Sequence, residues 1–265
     1  MSERDHYQPG VPCWVDTLQA DPEAAMRFYG ELFGWEFAGP GELAGHTPGQ
    51  YFVAQIRGRD VAGVGSRPAE EVSSAWKTYT AVDSADQAAD RIREAGGTVL
   101  AGPIDASPAG RFAVAADPAG AVFGVWEPAI RQGAQLVNAP SAWSMSMLQT
   151  GDPDAAKKFY ADVFGWEYEP LDMGGTELTL CRLPGYGGGE PQQPVPRDVV
   201  AVMVAAEAVR WGVDFWIDDA DAAAEQAPRL GGAVVAGPHD TAGVRQAVLA
   251  DPSGATFSVS KLQGH

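Results

Sequence analysis

The first clear pattern along the chain is an apolar stripe at helical spacing between positions 22 and 33. Its members share one face of a helix and are Ala25, Phe28, Tyr29, Leu32 and Phe33. Asp21 is a typical N-cap, Pro22 a typical first helical residue and Gly34 a typical stop. The pattern therefore predicts a helix that ends at Phe33 and buries one face in a core.

Segments that alternate with the period of two of a β-strand surround this helix. In YFVAQIR (51–57), Phe52 and Ala54 fall on one face, and Tyr51 and Gln55 fall on the other. A second helix is predicted in SADQAADRIREAGG, with strands before and after it. The resulting order is strand, helix and three strands, and it occurs twice in the first half of the chain.

The second half of the chain repeats the plan of the first. Three segments return in the same order: FYGELFGWEF as FYADVFGWEY, GGTVLAGP as GGAVVAGP, and ADPAGAVFGV as ADPSGATFSV. The stretch 128–140 between the halves has no clear period. We therefore predict two homologous domains, 8–127 and 141–262, joined by the linker 128–140.

The repeated segments also carry a resemblance to a known family. The segments concerned are DPEAAMRFYGELFGW with DPDAAKKFYADVFGW, AVDSADQAADRIREAGG with IDDADAAAEQAPRLGG, and DPAGAVFGV with DPSGATFSV. On them the chain resembles the glyoxalase/bleomycin-resistance/extradiol-dioxygenase group, the vicinal oxygen chelate (VOC) superfamily, over nearly its whole length. Its double length is similar to tandem glyoxalase-like proteins of actinobacteria, some found beside antibiotic biosynthesis genes. The resemblance implies an α+β fold of two tandem domains, each a pair of βαβββ units forming a curled mixed sheet with a concave cleft.

Composition narrows the range of partners. The formal net charge of −17 repels nucleic acid and anionic membranes, so neither is expected to bind. No segment approaches the roughly 20 consecutive apolar residues of a membrane span. The two cysteines, Cys13 and Cys181, occupy non-matching positions of the two halves, which favours neither a disulfide nor a thiolate metal site. We expect a cytoplasmic protein, either a monomer or a homodimer.

The resemblance also raises the question of a metal, because metal-using VOC proteins take His, Gln or Glu ligands from the first and last strands of each half-domain. The matching residues in this chain are Trp14, Lys77 and Gly124 in the first domain and Met145, Gly212 and Ser258 in the second, with Glu207 near a fourth place. A stable site needs three or four nitrogen, oxygen or sulfur donors that converge on one point. We therefore expect no metal and no other cofactor.

Strand alternation predicts which side chains enter each cleft. The predicted ligand-binding residues are Trp14, Tyr51, Gln55 and Trp126 in the first domain and Met145, Met147, Gln149, Asp214, Trp216 and Ser258 in the second. Thr179 and Cys181 are placed in the second cleft by the same rule. Aromatic walls with a few polar groups are typical of a pocket for a small planar or aromatic molecule. Ordinary packing within the sheet is the alternative role for these side chains.

Asp16, Lys77 and Tyr79 form the candidate catalytic trio of the first domain. A carboxyl in an apolar cleft has a raised pKa and a nearby lysine lowers it, so the group could accept protons without a metal. An ion pair that closes the cleft wall is the alternative. Met147 and Gly212 replace Asp16 and Lys77 in the second domain, so we expect the two clefts to be unequal if they carry out chemistry.

Two functions follow from these candidates. The first is metal-free binding of a small planar or aromatic compound, as in bleomycin-resistance-like sequestration or presentation. The second is a metal-independent isomerase, cyclase or lyase of secondary metabolism that uses Asp16 with Lys77 or Tyr79. A metal-dependent glyoxalase or dioxygenase ranks last. The Gly/Pro-rich segment 183–196 is predicted to be either a lid over the second cleft or an ordinary surface loop.

Overall fold

The computed structural model of the chain describes residues 2–69, 74–172, 177–187, 198–241 and 243–263. Most of the predicted lid or loop, 183–196, lies outside these residues. In the part of the chain that is described, no helix is both long and apolar enough to cross a membrane.

The first domain contains two strand–helix–strand units, as predicted. Its helices are α1 (Pro22–Phe33) and α2 (Ala85–Glu94). Its strands are β1 (Ser2–Glu3), β2 (Pro12–Gln19), β3 (Glu36–Glu42), β4 (Gln50–Ile56), β5 (Arg59–Ser66), β6 (Trp76–Ala81), β7 (Thr98–Asp105), β8 (Gly110–Ala116) and β9 (Val122–Pro128). A short 3₁₀ helix occupies Ala44–His46.

The second domain repeats this arrangement. Its helices are α3 (Pro153–Phe164) and α4 (Ala220–Gln226), the latter continued by a 3₁₀ turn, Ala227–Leu230. Its strands are β11 (Trp143–Thr150), β12 (Glu167–Asp172), β13 (Glu177–Arg182), β14 (Val199–Ala205), β15 (Arg210–Trp216), β16 (Ala233–Thr241), β17 (Val244–Ala250) and β18 (Thr256–Leu262). The linker strand β10 (Leu136–Val137) pairs with β1.

Each domain forms one eight-stranded mixed sheet. The strand orders are β3-β4-β5-β2-β6-β9-β8-β7 and β12-β13-β14-β11-β15-β18-β17-β16. In the first sheet β2 and β6 are antiparallel neighbours, β5 runs parallel to β2, and β9 runs parallel to β6. The first and last strands of both units therefore lie at the centre of each sheet, where their side chains meet.

The helix predicted over 22–33 is present, and its ends are fixed by the expected residues. The Asp21 carboxylate accepts a hydrogen bond from the Ala24 amide at 2.9 Å, and Gly34 ends the helix at φ 71°, a left-handed conformation that favours glycine. Asp152 and Gly165 do the same for α3. An N-cap of this kind contributes about 1 kcal/mol to helix stability.

The apolar stripes of α1 and α3 pack in part against the other domain. The Phe28 ring lies 6.2 Å from that of Phe257, and the Phe33 ring lies 5.1 Å from that of Phe215. On the matching side, Phe159 of α3 lies 6.0 Å from Phe123. These rings belong to one continuous core, so the two domains are joined by buried aromatic surface rather than by the linker alone.

Two tyrosines connect the repeated motifs across the domain boundary. The Tyr29 hydroxyl donates to the Asp251 carboxylate at 2.9 Å, and the Tyr160 hydroxyl donates to Asp117 at 3.0 Å. Each aspartate also accepts hydrogen bonds from amides of its own turn, such as that of Ala121. The tyrosine of one domain's first helix is therefore anchored on the DP turn of the other, so both copies of each motif take part in the contact between the domains.

Candidate functional site: a polar cavity in the second domain

The first domain brings the predicted catalytic trio together on the concave face of its sheet. The Lys77 ammonium lies 3.9 Å from the Asp16 carboxylate and 3.4 Å from the Tyr79 hydroxyl. Tyr51 joins them, because its hydroxyl donates to Asp16 at 3.2 Å and accepts from the Trp14 indole at 2.9 Å. The faces assigned to β2 and β6 by alternation are thus the observed ones.

Asp16 is buried beneath these neighbours. Burial raises the pKa of its carboxyl, and the Lys77 charge together with hydrogen bonds from Tyr79 and Tyr51 opposes this. One carboxylate oxygen, Oδ1, has no hydrogen-bond partner. Because Trp14, Asp16 and Tyr79 are all 7% exposed or less, a substrate reaches this group only if the tyrosines move.

Glycines allow the tyrosine rings to lie directly on the sheet. A Cβ added to Gly63 would stand 1.9 Å from the Tyr51 hydroxyl oxygen, and one added to Gly124 would stand 2.1 Å from the Tyr79 ring. The first cleft is therefore filled by the protein's own aromatic side chains.

Trp126 and Gln55, the other predicted ligand residues of the first domain, are held by local partners. The Trp126 indole donates to the Arg131 carbonyl at 2.9 Å, and its ring stacks on Phe112. The Gln55 amide donates to Asp60 at 2.8 Å, and Asp60 also pairs with the Arg131 guanidinium. Both side chains thus help to fix the start of the linker.

The second domain contains an open cavity on the corresponding face, with a volume of about 240 Å³. All of the predicted ligand residues of this domain line it: Met145, Met147, Gln149, Asp214, Trp216 and Ser258. The sheet also contributes apolar side chains that were not predicted, among them Leu171, Leu178 and Val202. The two clefts therefore differ, since the first is filled by side chains and the second is open.

The placement of Thr179 and Cys181 in this cleft was wrong. Leu178 lines the cavity, and Leu180 packs with Met145 and Met147 on the same face. Cys181 points instead into the main core. Alternation alone could not decide between the two faces of β13, because every residue from 178 to 181 is compatible with burial.

Asp214 is the centre of a polar network in the cavity. Its Oδ2 accepts a hydrogen bond from the Ser144 hydroxyl at 2.6 Å. Its Oδ1 accepts from the Ser260 hydroxyl at 2.6 Å and from the Gln246 amide at 3.4 Å. Burial raises the pKa of Asp214 to about 6, although these three hydrogen bonds oppose the rise. The group therefore changes its charge close to neutral pH.

Strand pairing shows which residues of the first domain these polar groups replace. In the first sheet Tyr79 is paired with Gly124, and at the equivalent position of the second sheet Asp214 is paired with Ser258. The pair Phe112 and Trp126 likewise corresponds to Gln246 and Ser260. Three aromatic residues that fill the first cleft are thus Asp, Gln and Ser in the second. Sequence reasoning missed Ser144 and Gln246, and this concerted change between the repeats is the signal that could have revealed the network.

The residues at the family's metal positions do not fit a divalent cation. Gly124 and Gly212 have no side-chain donor, and Glu207 lies exposed in the turn between β14 and β15. Among the described residues that line the cavity, Asp214 is the single carboxylate. The described ranges also contain no group of three or more His, Cys, Asp or Glu side chains that could hold a metal.

Comparisons with known proteins agree with this fold. The glyoxalase-like domain family matches residues 14–126 and 144–260. CFP32 of Mycobacterium tuberculosis is 36% identical over 276 residues, which cover 98% of both chains. The anthracycline biosynthesis protein DnrV of Streptomyces peucetius is 33% identical over 268 residues, covering 97% of this chain and 95% of DnrV.

Solved structures share the fold at lower identity. The Mn(II)-bound glyoxalase from Novosphingobium aromaticivorans superposes with a TM-score of 0.64 at 19% identity, covering 96% of this chain and 82% of that one. At this identity the likeness concerns architecture alone. The chain belongs to the glyoxalase-like domain family, which matches both of its domains.

Proposed function

We propose that this protein binds a small planar or aromatic organic molecule, without a metal, in the cavity of its second domain. The observation that carries the proposal is the cavity itself, where the apolar side chains of Met145, Met147 and Leu178 and the ring of Trp216 surround one polar network. Such a surface stabilises a flat apolar body by burial, while the few polar groups fix its orientation.

The size of the cavity limits the ligand. Its volume of about 240 Å³ lies just below the roughly 300 Å³ at which pockets for drug-sized ligands begin. A two-ring compound, or one end of a larger fused-ring compound, therefore matches the enclosed space. A larger ligand would extend beyond the sheet.

The relatives suggest where such a ligand comes from. DnrV of Streptomyces peucetius and DauV of Streptomyces sp. strain C5, 33% and 32% identical to this chain, are both named anthracycline biosynthesis proteins. Anthracyclines contain a flat fused-ring system, which is the shape that the cavity favours. We infer a role in sequestering or presenting an aromatic metabolite, in the cytoplasm, where buried free thiols such as Cys13 and Cys181 stay reduced.

A metal-independent enzyme using Asp16 with Lys77 or Tyr79 is the second candidate. The Lys77 ammonium favours it, because it lies 3.9 Å from the Asp16 carboxylate and so stabilises the ionised form that a proton acceptor needs. Binding ranks first because a substrate must displace the Tyr51 ring before it can contact Asp16.

Calorimetric titration tests the binding site. We suggest a panel of aromatic compounds with and without amine groups, from naphthalene derivatives to an anthracycline. Met145→Trp copies the matching Trp14 into the second cavity, and we expect it to weaken binding at least tenfold. The reciprocal change, Trp14→Met, alters the first domain and should leave affinity within about twofold.

Loss of binding in Trp14→Met but not in Met145→Trp would overturn the assignment to the second domain. Mass spectrometry of the recovered compound separates the two candidate functions. Unchanged compound supports binding, whereas a new product that Asp16→Ala no longer forms supports the enzyme.

A further inference from the structure

Among the described residues Asp214 has no cationic partner, in contrast to Asp16. The hydrogen bonds to its carboxylate come from two hydroxyls and one amide, all of them neutral. Asp16, by contrast, has the Lys77 ammonium 3.9 Å away. A negative charge held in a largely apolar cavity by neutral donors alone is incompletely compensated.

The strands around Asp214 supply no counter-ion among the described residues that line the cavity. On β15 itself Arg210 lines the rim, but it is exposed and its guanidinium binds Gln149 at 2.7 Å and Thr256 at 3.1 Å. The side chains that β11, β14, β17 and β18 contribute to the cavity are not titratable; they are Ser144, Met145, Met147, Gln149, Val202, Val244, Gln246, Val248, Thr256, Phe257, Ser258 and Ser260. On β17, Arg245 pairs with Asp221 and Asp240.

A second feature favours a positive group in this place. Trp216 follows Asp214 by two residues on β15, so both side chains lie on the same face, and both line the cavity. An indole face attracts a cation, and the attraction is stronger where water is excluded. A carboxylate and an indole side by side are complementary to an aromatic compound that carries an ammonium group on an aliphatic carbon.

We propose that the ligand of the second-domain cavity carries a protonated amine, which pairs with the ionised Asp214 carboxylate beside Trp216. The inference rests on the proposed function and specifies its ligand as an aromatic compound that carries an aliphatic ammonium group. A divalent metal ion does not fit the same place, because it needs several more oxygen or nitrogen ligands than one carboxylate.

The pairing makes binding depend on pH. Asp214 must be ionised to pair with an ammonium, and burial raises its pKa to about 6 in the free protein. An aliphatic amine stays protonated from pH 5 to pH 8, so Asp214 alone sets the dependence. Affinity should therefore fall about tenfold between pH 8 and pH 5.

Two probes that share one ring system test the inference: 1-naphthylmethylamine and 1-naphthalenemethanol. We expect calorimetry at pH 7.5 to show that the amine binds at least tenfold more tightly than the alcohol. Asp214→Asn should remove this preference while leaving the affinity for the alcohol within about threefold. The exposed Asp218→Asn removes the same charge outside the cavity and should keep the preference.

The outcomes separate the two proposals. If the alcohol binds as tightly as the amine, or if the preference survives in Asp214→Asn, the inference of a cationic ligand is wrong while aromatic binding stands. If neither probe binds, and no aromatic compound of the wider panel binds either, the proposed function fails as well. A preference that does not decrease from pH 8 to pH 5 would also contradict the pairing.

Discussion

Replacing Asp214 with asparagine should make the folded protein more stable at neutral and alkaline pH. The carboxyl has a pKa of about 6 in the folded chain against 3.8 as its ordinary value. At 1.36 kcal/mol for each pKa unit, holding this group ionised in the cavity costs about 3 kcal/mol of folding free energy above pH 7. Asparagine has nearly the same shape and no charge, and the Ser144 and Ser260 hydroxyls can both donate to it and accept from it.

The sign follows from proton binding. Between pH 4 and pH 6 the folded state holds a proton on Asp214 that the unfolded state has released, so this group's contribution to stability falls as pH rises through that range. The gain from Asp214→Asn should therefore be largest at pH 8, at about 3 kcal/mol, and roughly half as large at pH 5.

Urea unfolding of the wild type and Asp214→Asn at both pH values measures this difference. The exposed Asp218→Asn is the control and should change the free energy of unfolding by less than about 0.5 kcal/mol at either pH. If Asp214→Asn destabilises the protein equally at pH 5 and pH 8, the carboxylate is well compensated in the cavity. The argument that a ligand supplies a positive charge to compensate Asp214 would then be contradicted.

Three further predictions concern the first cleft, the domain boundary and metal content. Gly124→Ala should lower the free energy of unfolding in urea by at least about 2 kcal/mol, because its Cβ would overlap the Tyr79 ring. Gly120→Ala is the control: no atom lies within 4 Å of its Cβ, so it measures only the effect of replacing a glycine at a φ of 101°. Tyr29→Phe should cost about 1 to 3 kcal/mol, because it removes one hydrogen bond to Asp251 and leaves the buried Trp76 indole without its acceptor, and an unchanged melting curve would contradict the anchoring role. Protein purified without chelators should contain far less than one divalent ion per domain by elemental analysis, and about one per domain would reject metal-free binding.

The elements and the repeat could be predicted from the sequence because they depend on local patterns. Asp21, Pro22 and Gly34 fixed α1, and the duplicated motifs defined two domains. Alternation also placed Asp16 and Lys77 on one face correctly, since β2 and β6 each bury their other face consistently. These features require only spacing along the chain and the period of a helix or a strand.

Contacts between distant segments could not be predicted in the same way. Nothing local indicates that Tyr29 binds Asp251, 222 positions away, rather than a group in its own domain. The filling of the first cleft was also not predicted, because it depends on Tyr51 lying over Gly63 of a neighbouring strand. Both results depend on how side chains are directed in three dimensions, which strand alternation describes only as one face or the other.

The duplication offers a physical reason for the difference between the two clefts. A buried aromatic side chain stabilises a domain by about 1.5 to 3 kcal/mol, whereas an uncompensated carboxylate destabilises it. Tyr79 and its aromatic neighbours stabilise the first domain, and the matching Asp214 network, by that reasoning, lowers the stability of the second. A shared core that runs between the domains lets the stability of one offset the strain in the other. A residue such as Asp214, which costs folding free energy while it faces an open cavity, is best explained by a ligand that supplies the missing charge.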